Sequence, residues 1–267
     1  MSIRHYSQRG NRRRGINPKA QALLLVILGI ALLLQISYPL LEGEALRVVT
    51  IATVYWGAAA MFLHALLAYG SRYAFTYLSV TLIYAFIVEL IGVKTGWPFG
   101  QYSYDESLGP KLASVSIVVP FAWAMMAHPL LIASRRVGKS WVFLYGGFAL
   151  MAWDLFLDPQ MVAAGRWSWT FTGAHIPFQP EIPLSNAFGW LFAGMGLMGL
   201  LHQILPRERR KISAGFGVVD FYLAWSWFGG VVSNLFFFGR PGVAFFSGLI
   251  YGVVLAPYAF SRWLGRP

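Results

Sequence analysis

The chain lacks cysteine altogether and carries few charged residues. None of its 267 residues is cysteine, which excludes disulfides, thiolate metal sites and cysteine nucleophiles. Charged residues make up 12% of the chain and hydrophobic residues 57%, a balance outside the usual range of a soluble globular domain of this length. The composition therefore indicates an integral membrane protein.

Several catalytic and cofactor motifs are missing as well. The five histidines include no H-E-x-x-H and no pair at helical spacing, which disfavours di-iron desaturase or hydroxylase chemistry. No phosphate loop and no serine-nucleophile elbow occurs. Residues 194–199 match the dinucleotide fingerprint G-x-G-x-x-G, but they lie inside an apolar run with no strand before it. Close helix packing is the favoured interpretation of these glycines.

Eight apolar runs are long enough to form transmembrane helices. A helix needs about 20 mostly apolar residues to cross a bilayer. The runs cover residues 20–38, 48–69, 74–93, 116–134, 141–157, 185–205, 215–238 and 242–262. We therefore predict an all-α fold, a polytopic membrane bundle of about eight helices that forms a single domain over residues 20–267.

Positive charge is concentrated on one side of this predicted bundle. Residues 1–19 form a basic tail, which the positive-inside rule places in the cytoplasm. With eight spans, most of the 21 lysines and arginines fall on the same side as this tail, so both termini are predicted to be cytoplasmic. Orientation and attraction to anionic lipid explain the net charge of +11, and we expect no nucleic-acid partner.

An acid followed by an aromatic turn occurs twice with the same spacing. Glu89 precedes residues 100–104, GQYSY, and Asp154 precedes residues 165–169, GRWSW. Each position of the second copy lies 65 residues after its equivalent in the first. The pattern predicts a parallel repeat of two helix hairpins, residues 74–134 and 141–205. A chance match is the alternative, because 17% of the residues are aromatic.

Three acidic residues lie in or near the expected hydrocarbon region, where carboxyl groups are costly and often functional. Glu89 and Asp154 are predicted in the last turns of their helices, where burial and the helix dipole both disfavour the ionised form. Asp158 shares the helix face of Asp154 if the helix continues that far. Pro159 instead favours a helix end at Asp158, with a capping role. A structural hydrogen bond is the alternative to catalysis for each acid.

Aromatic and amide side chains flank these acids. The long loops 94–115 and 158–184 hold Trp97, Phe99, Tyr102, Tyr104, Trp167 and Trp169, for which an ordinary interfacial belt is the alternative to a binding role. Asn186 and Asn234 fall at predicted helix ends, where an amide can hold water or cap the helix. Asp220, near the start of its span, is predicted to be a structural cap or polar anchor.

Several blocks of the central chain resemble the CruF-type carotenoid biosynthesis family, whose members are membrane carotenoid hydratases. The blocks are residues 89–104, 108–112, 153–162, 167–169, 182–186 and 189–190. The resemblance implies addition of water across the terminal double bond of an acyclic carotenoid end group, which gives a tertiary alcohol. It also implies a membrane-lipid setting, which we expect to be a bacterial cytoplasmic membrane, with other carotenoid-synthesis enzymes as partners.

Such a hydration needs a protonated acid, aromatic faces that stabilise a cation, and a placed water, but no metal or redox cofactor. We expect Asp154 to donate the proton, Asp158 or Glu89 to poise it and accept the water's proton, and Asn186 to orient the water. The end-group pocket is predicted to involve Trp97, Phe99, Tyr102, Tyr104, Trp167, Trp169, Trp190 and Asn234. The alternatives are a membrane transporter and a non-catalytic scaffold for pigment-synthesis enzymes.

Overall fold

The computed structural model describes residues 16–207 and 217–265. Most of the predicted basic tail, residues 1–15, therefore lies outside the described residues, as does the basic segment 208–216. The cytoplasmic placement of both termini stays a prediction.

Eight long helices form the described part of the chain. Their bounds are α1 Pro18–Ser37, α2 Gly43–Tyr69, α3 Ser71–Thr95, α4 Val118–Val137, α5 Val142–Ala163, α6 Leu184–Ile204, α7 Gly217–Val232 and α8 Pro241–Trp263. A 3-10 turn, Tyr38–Leu40, follows α1, and a π-helical turn, Ser233–Phe237, extends α7. Seven of the helices are long and apolar enough to cross a membrane; α7, with 16 residues, is the shortest. The prediction of a polytopic helical membrane protein is confirmed.

The distribution of burial suits a bundle in lipid. Helix α1 is apolar on all sides, yet Leu24, Leu28 and Ala31 are its buried residues, which a helix facing lipid allows and a helix facing water does not. Helix α4 is the most enclosed, with 83% of its central window buried. Helix α4 therefore forms the centre of the bundle.

Small residues bring α5 and α6 into close contact. A Cβ atom added to Gly194 would lie 3.1 Å from the Cα of Gly147, and one added to Gly147 would lie 2.8 Å from the carbonyl oxygen of Leu191. The glycines thus let two helix backbones approach each other, as in other membrane proteins. Helix packing, and not a dinucleotide site, accounts for the G-x-G-x-x-G match.

Three two-stranded antiparallel sheets lie at one end of the bundle, which we call the sheet end. Strand β1 (Tyr102–Tyr104) pairs with β4 (Trp167–Trp169), β2 (Lys111–Leu112) with β3 (Val115–Ser116), and β5 (His175–Ile176) with β6 (Gln179–Pro183). They are formed by the connections between α3 and α4 and between α5 and α6. The two aromatic turns of the sequence are therefore short strands, and they pair with each other.

At the opposite end, Asp220 is a polar anchor, as predicted. Its carboxylate lies 2.6 Å from a guanidinium nitrogen of Arg262 and accepts a 2.5 Å hydrogen bond from the hydroxyl of Tyr258. These contacts join the first turn of α7 to the last turns of α8.

Candidate active site

Glu89 accepts hydrogen bonds from three aromatic side chains. Its Oε2 accepts from the hydroxyls of Tyr102 (2.5 Å) and Tyr104 (2.6 Å), and its Oε1 accepts from the indole nitrogen of Trp123 (3.0 Å). The side chain is buried in α3, six residues before the helix ends. Glu89 therefore lies in the last two turns of α3, in agreement with its predicted position. Three donors around one buried carboxyl group offset part of the cost of burying its ionised form.

Tyr102 and Tyr104 belong to strand β1, outside the membrane-spanning helices. Burial raises the pKa of both phenols well above their ordinary value, and the neighbouring Glu89 carboxylate raises the pKa of each further. Both phenols therefore keep their protons near neutral pH and act as donors to Glu89.

Asp154 and Asp158 share one donor. The side-chain nitrogen of Asn186 donates to Oδ2 of Asp154 at 3.2 Å and also to Oδ2 of Asp158. The Asp158 Oδ1 accepts a 3.2 Å hydrogen bond from the indole of Trp167, whereas the Asp154 Oδ1 has no hydrogen-bond partner within the described residues. All three polar residues are buried. The two aspartates thus have fewer hydrogen-bond donors for each carboxyl group than Glu89, which has three.

The Asp154–Asp158 pairing requires α5 to pass through Pro159. The sequence favoured a helix end at Asp158, and that prediction is wrong, because α5 continues to Ala163. Proline has no N–H for the carbonyl oxygen four residues earlier, which is that of Leu155. Gln179 Nε2 and Ser247 Oγ each donate to this oxygen at 3.0 Å. The freed carbonyl is thus satisfied, and both acids remain on one helix face, nine and five residues before α5 ends at Ala163.

Asn186 likewise has a different role from the expected helix cap. The N-cap position of α6 is Pro183, and Asn186 lies inside the first turn with its side chain directed at the two aspartates. The first turn of α6 is thereby tied to α5 at the level of the acids.

Strand pairing holds the aromatic residues over these acids. Tyr102 pairs with Trp169 and Tyr104 with Trp167, so each tyrosine lies beside a tryptophan of the other copy. The indole nitrogen of Trp169 donates to the carbonyl oxygen of Phe99 at 3.1 Å. Because successive strand residues point to opposite faces, the aromatics face the bundle while the serines between them are exposed.

The acids and aromatics enclose a narrow, mostly apolar cavity with an empty volume of about 630 Å³. Most of the predicted site residues line it: Glu89, Phe99, Tyr102, Tyr104, Asp158, Trp167, Trp169, Asn186 and Trp190. The structure therefore brings together residues from both copies of the sequence pattern, as well as from α6.

Three predicted residues lie outside this cavity. Asp154 lies behind Asp158 and reaches it through Asn186. Trp97 is 68% exposed, which is compatible with an interfacial belt. Asn234 is buried in the π-helical turn after α7, where its side chain donates to the carbonyl oxygen of Gly230 at 2.9 Å.

The sequence analysis missed Trp123. It lies in the second turn of α4, stacks on Trp190 with ring centroids 4.3 Å apart and lines the cavity. Its position was the available signal, because Trp123 is the eighth residue of the predicted run 116–134, which is deeper than the end positions typical of an interfacial belt.

The structure also brings together two histidines of different helices. His64 Nδ1 and His128 Nε2 lie 2.9 Å apart in the core between α2 and α4. Within residues 16–207 and 217–265, no group of three or more histidine or acidic side chains is arranged to hold a metal ion.

Residues 48–255 match the model of a family described as carotenoid biosynthesis protein. A bisanhydrobacterioruberin hydratase of Haloarcula japonica is 33% identical over 171 residues, which cover 58% of this chain and 54% of that protein. The chain thus spans about half the length of that relative. No solved structure matches this chain.

The family match extends from α2 into α8 and includes every residue that lines the cavity. It covers well over half of the chain, and it agrees with the resemblance of the loop blocks. The chain therefore belongs to the carotenoid biosynthesis protein family.

Proposed function

We propose that the protein is a carotenoid hydratase that adds water to the terminal double bond of an acyclic carotenoid end group. The observation that carries the proposal is the placement of an aspartate pair, bridged by Asn186, beside an aromatic cavity. Kinship with a relative named as a hydratase of bisanhydrobacterioruberin supports it.

The aspartate pair is the acid in this proposal. Two carboxyl groups held this close in a buried site cannot both be ionised without strong repulsion, so the pair holds one proton. Asp158, and not Asp154 as expected from the sequence, faces the cavity. The proton therefore leaves through Asp158, with Asp154 behind it as the partner of the pair.

Proton transfer to the less substituted carbon of the double bond leaves a tertiary cation. The faces of Trp167, Trp169 and Trp190 line the cavity in which this cation forms, and aromatic faces attract cations. The Glu89 carboxylate, fixed by its three donors, supplies a preorganised negative charge. Together they lower the free energy of the intermediate.

Water capture completes the reaction. The nitrogen of Asn186 is engaged by the aspartates, so its amide oxygen accepts a hydrogen bond from the attacking water. A C–O bond forms, and the proton that the water loses returns to the aspartate pair. The cycle closes with no net change in protonation and no transfer of electrons.

The proposal is tested by expressing this chain alone in a host that accumulates an acyclic carotenoid and analysing the pigments by mass spectrometry. Products heavier by one or two waters support the proposal. Unchanged pigment, with the protein present in the membrane at normal abundance, contradicts it.

A further inference from the structure

A second cavity adjoins the first across the seam between α2 and α5. It has an empty volume of about 920 Å³. Four side chains line both cavities and so form the boundary between them: Thr50, Val54, Leu157 and Met161. A molecule that fills both cavities would therefore pass between these four side chains.

Aromatic and methionine side chains dominate the walls of this second cavity. Trp153, Phe156 and Trp225 line it together with Met125 and Met126. Flat aromatic faces and adaptable thioethers pack well against an extended apolar ligand. The lining therefore suits a hydrocarbon chain.

Several polar groups of the second cavity are already paired within the protein. The side-chain oxygen of Gln35 accepts a 2.7 Å hydrogen bond from Trp225, and the hydroxyl of Ser226 donates to the carbonyl oxygen of Leu223 at 2.9 Å. Ser233 bonds to the carbonyl oxygen of Gly230 at 3.3 Å. Paired groups do not need water, which favours an apolar occupant. The Thr53 hydroxyl has no partner within the described residues.

We propose that the second cavity binds the part of the polyene chain that adjoins the reacting end group. It thereby acts as a specificity site for long, linear isoprenoids, while the first cavity holds the end group alone. This inference rests on the proposed function. The alternative is that the second cavity holds water that supplies the reaction. The experiment below distinguishes the two occupants.

Gly229 offers a direct way to fill the second cavity. It lines the cavity, and a Cβ atom added there would meet Trp225 no closer than 3.7 Å, which is ordinary van der Waals contact. Gly229→Leu projects an isobutyl group into the cavity, and Gly229→Ala makes a smaller step. Gly199→Leu is the matched control, because a Cβ atom there meets Phe143 at 3.5 Å, away from both cavities.

Each purified variant is given two substrates that share the same isopropylidene end, a full-length acyclic carotenoid and a short acyclic isoprenoid. For Gly229→Leu we expect kcat/KM for the carotenoid to fall by about tenfold or more, the effect of one misplaced methylene group or more in an apolar pocket. Hydration of the short compound should persist, and Gly229→Ala should lose less. Retention of carotenoid by the protein during purification provides a second readout that needs no turnover.

The possible results distinguish a failure of the second-cavity proposal from a failure of the proposed hydratase function. Equal loss for both substrates, with carotenoid retention unchanged, would assign the second cavity to water and overturn the inference. Normal carotenoid hydration and retention by Gly229→Leu would overturn it too. If the wild type hydrates neither substrate, the proposed function itself fails.

Discussion

Ser103 and Ser168 face each other as cross-strand partners, although 65 residues separate them in the sequence. They are the equivalent serines of the two sequence copies. Antiparallel pairing through equivalent residues gives the two strands a local two-fold relationship. Tyr102 donates to Glu89, the acid of its own copy, whereas Trp167 donates to Asp158, which lies four residues after the acid of the second copy, Asp154. The derivation of both hairpins from one repeat stays a prediction.

A glycine with a positive φ lies two residues before β1 and before β4, at Gly100 and Gly165. We expect these positions to require glycine because other residues rarely adopt that backbone conformation. Gly165 has a φ of +67° and open space around a built Cβ atom. Gly165→Ala should therefore lower the free energy of unfolding by about 1 kcal/mol from torsional strain alone. Thermal unfolding in detergent measures the change.

Gly29→Ala is the matched control for this prediction. Gly29 lies inside α1, with nothing within 4 Å of a built Cβ atom, so alanine should be neutral or stabilising there. Equal destabilisation by both substitutions would contradict the torsional explanation.

Replacement of Asp158 by asparagine should remove the proton donor while keeping the shape of the side chain. We expect Asp158→Asn to lower kcat by about 10²- to 10⁴-fold, the usual contribution of a positioned acid. Asp154→Asn should have a similar effect, because the pair shares its proton. Pigment analysis in a carotenoid-producing host, at matched protein abundance, provides the measurement.

Asp105→Asn is the control carboxyl substitution. Asp105 is exposed in the loop after β1 and bonds to the backbone nitrogen of Ser107, so hydration should be unaffected. Full activity of both Asp154→Asn and Asp158→Asn would remove the pair from the mechanism.

Glu89 should contribute through its charge. Glu89→Gln keeps the size of the side chain but removes the preorganised negative charge, and we expect kcat to fall by about 10²- to 10³-fold. Trp123→Phe removes one of the three donors while keeping an aromatic ring, and its effect should be smaller. Steady-state hydration rates of the purified variants test whether Glu89→Gln loses more activity than Trp123→Phe. A larger loss for Trp123→Phe would contradict the proposed role of the Glu89 charge.

The helices were predictable because lipid-facing and core-facing positions are both apolar, which makes each span a continuous run. The course of α5 through Pro159 was not predictable, since the groups that satisfy the Leu155 carbonyl come from Gln179 and Ser247, 24 and 92 residues away. The bond between Asn186 and the aspartates is non-local in the same way. Residue types indicated the acids and aromatics, but only the packing of α5 on α6 shows which carboxyl group faces the cavity.

The phenols of β1 predict a pH dependence of stability. Because burial and Glu89 raise the pKa of Tyr102 and Tyr104, these phenols stay protonated in the folded chain when those of the unfolded chain ionise, above about pH 10. The unfolded state then binds fewer protons, so stability falls as pH rises, by at most about 1.4 kcal/mol per pH unit for each phenol. The double variant Tyr102→Phe/Tyr104→Phe should show a shallower fall in unfolding experiments. An identical slope would contradict the assignment.

The origin of the new hydroxyl group is the most direct test of the central claim. The purified chain is incubated with an acyclic carotenoid in water enriched in oxygen-18, and in a parallel reaction in deuterium oxide, and the products are analysed by mass spectrometry. Acid-catalysed hydration predicts one oxygen-18 atom for each hydroxyl formed and one deuterium on the neighbouring carbon. A hydroxyl whose oxygen comes from dissolved dioxygen, or a product without deuterium at that carbon, would contradict the account.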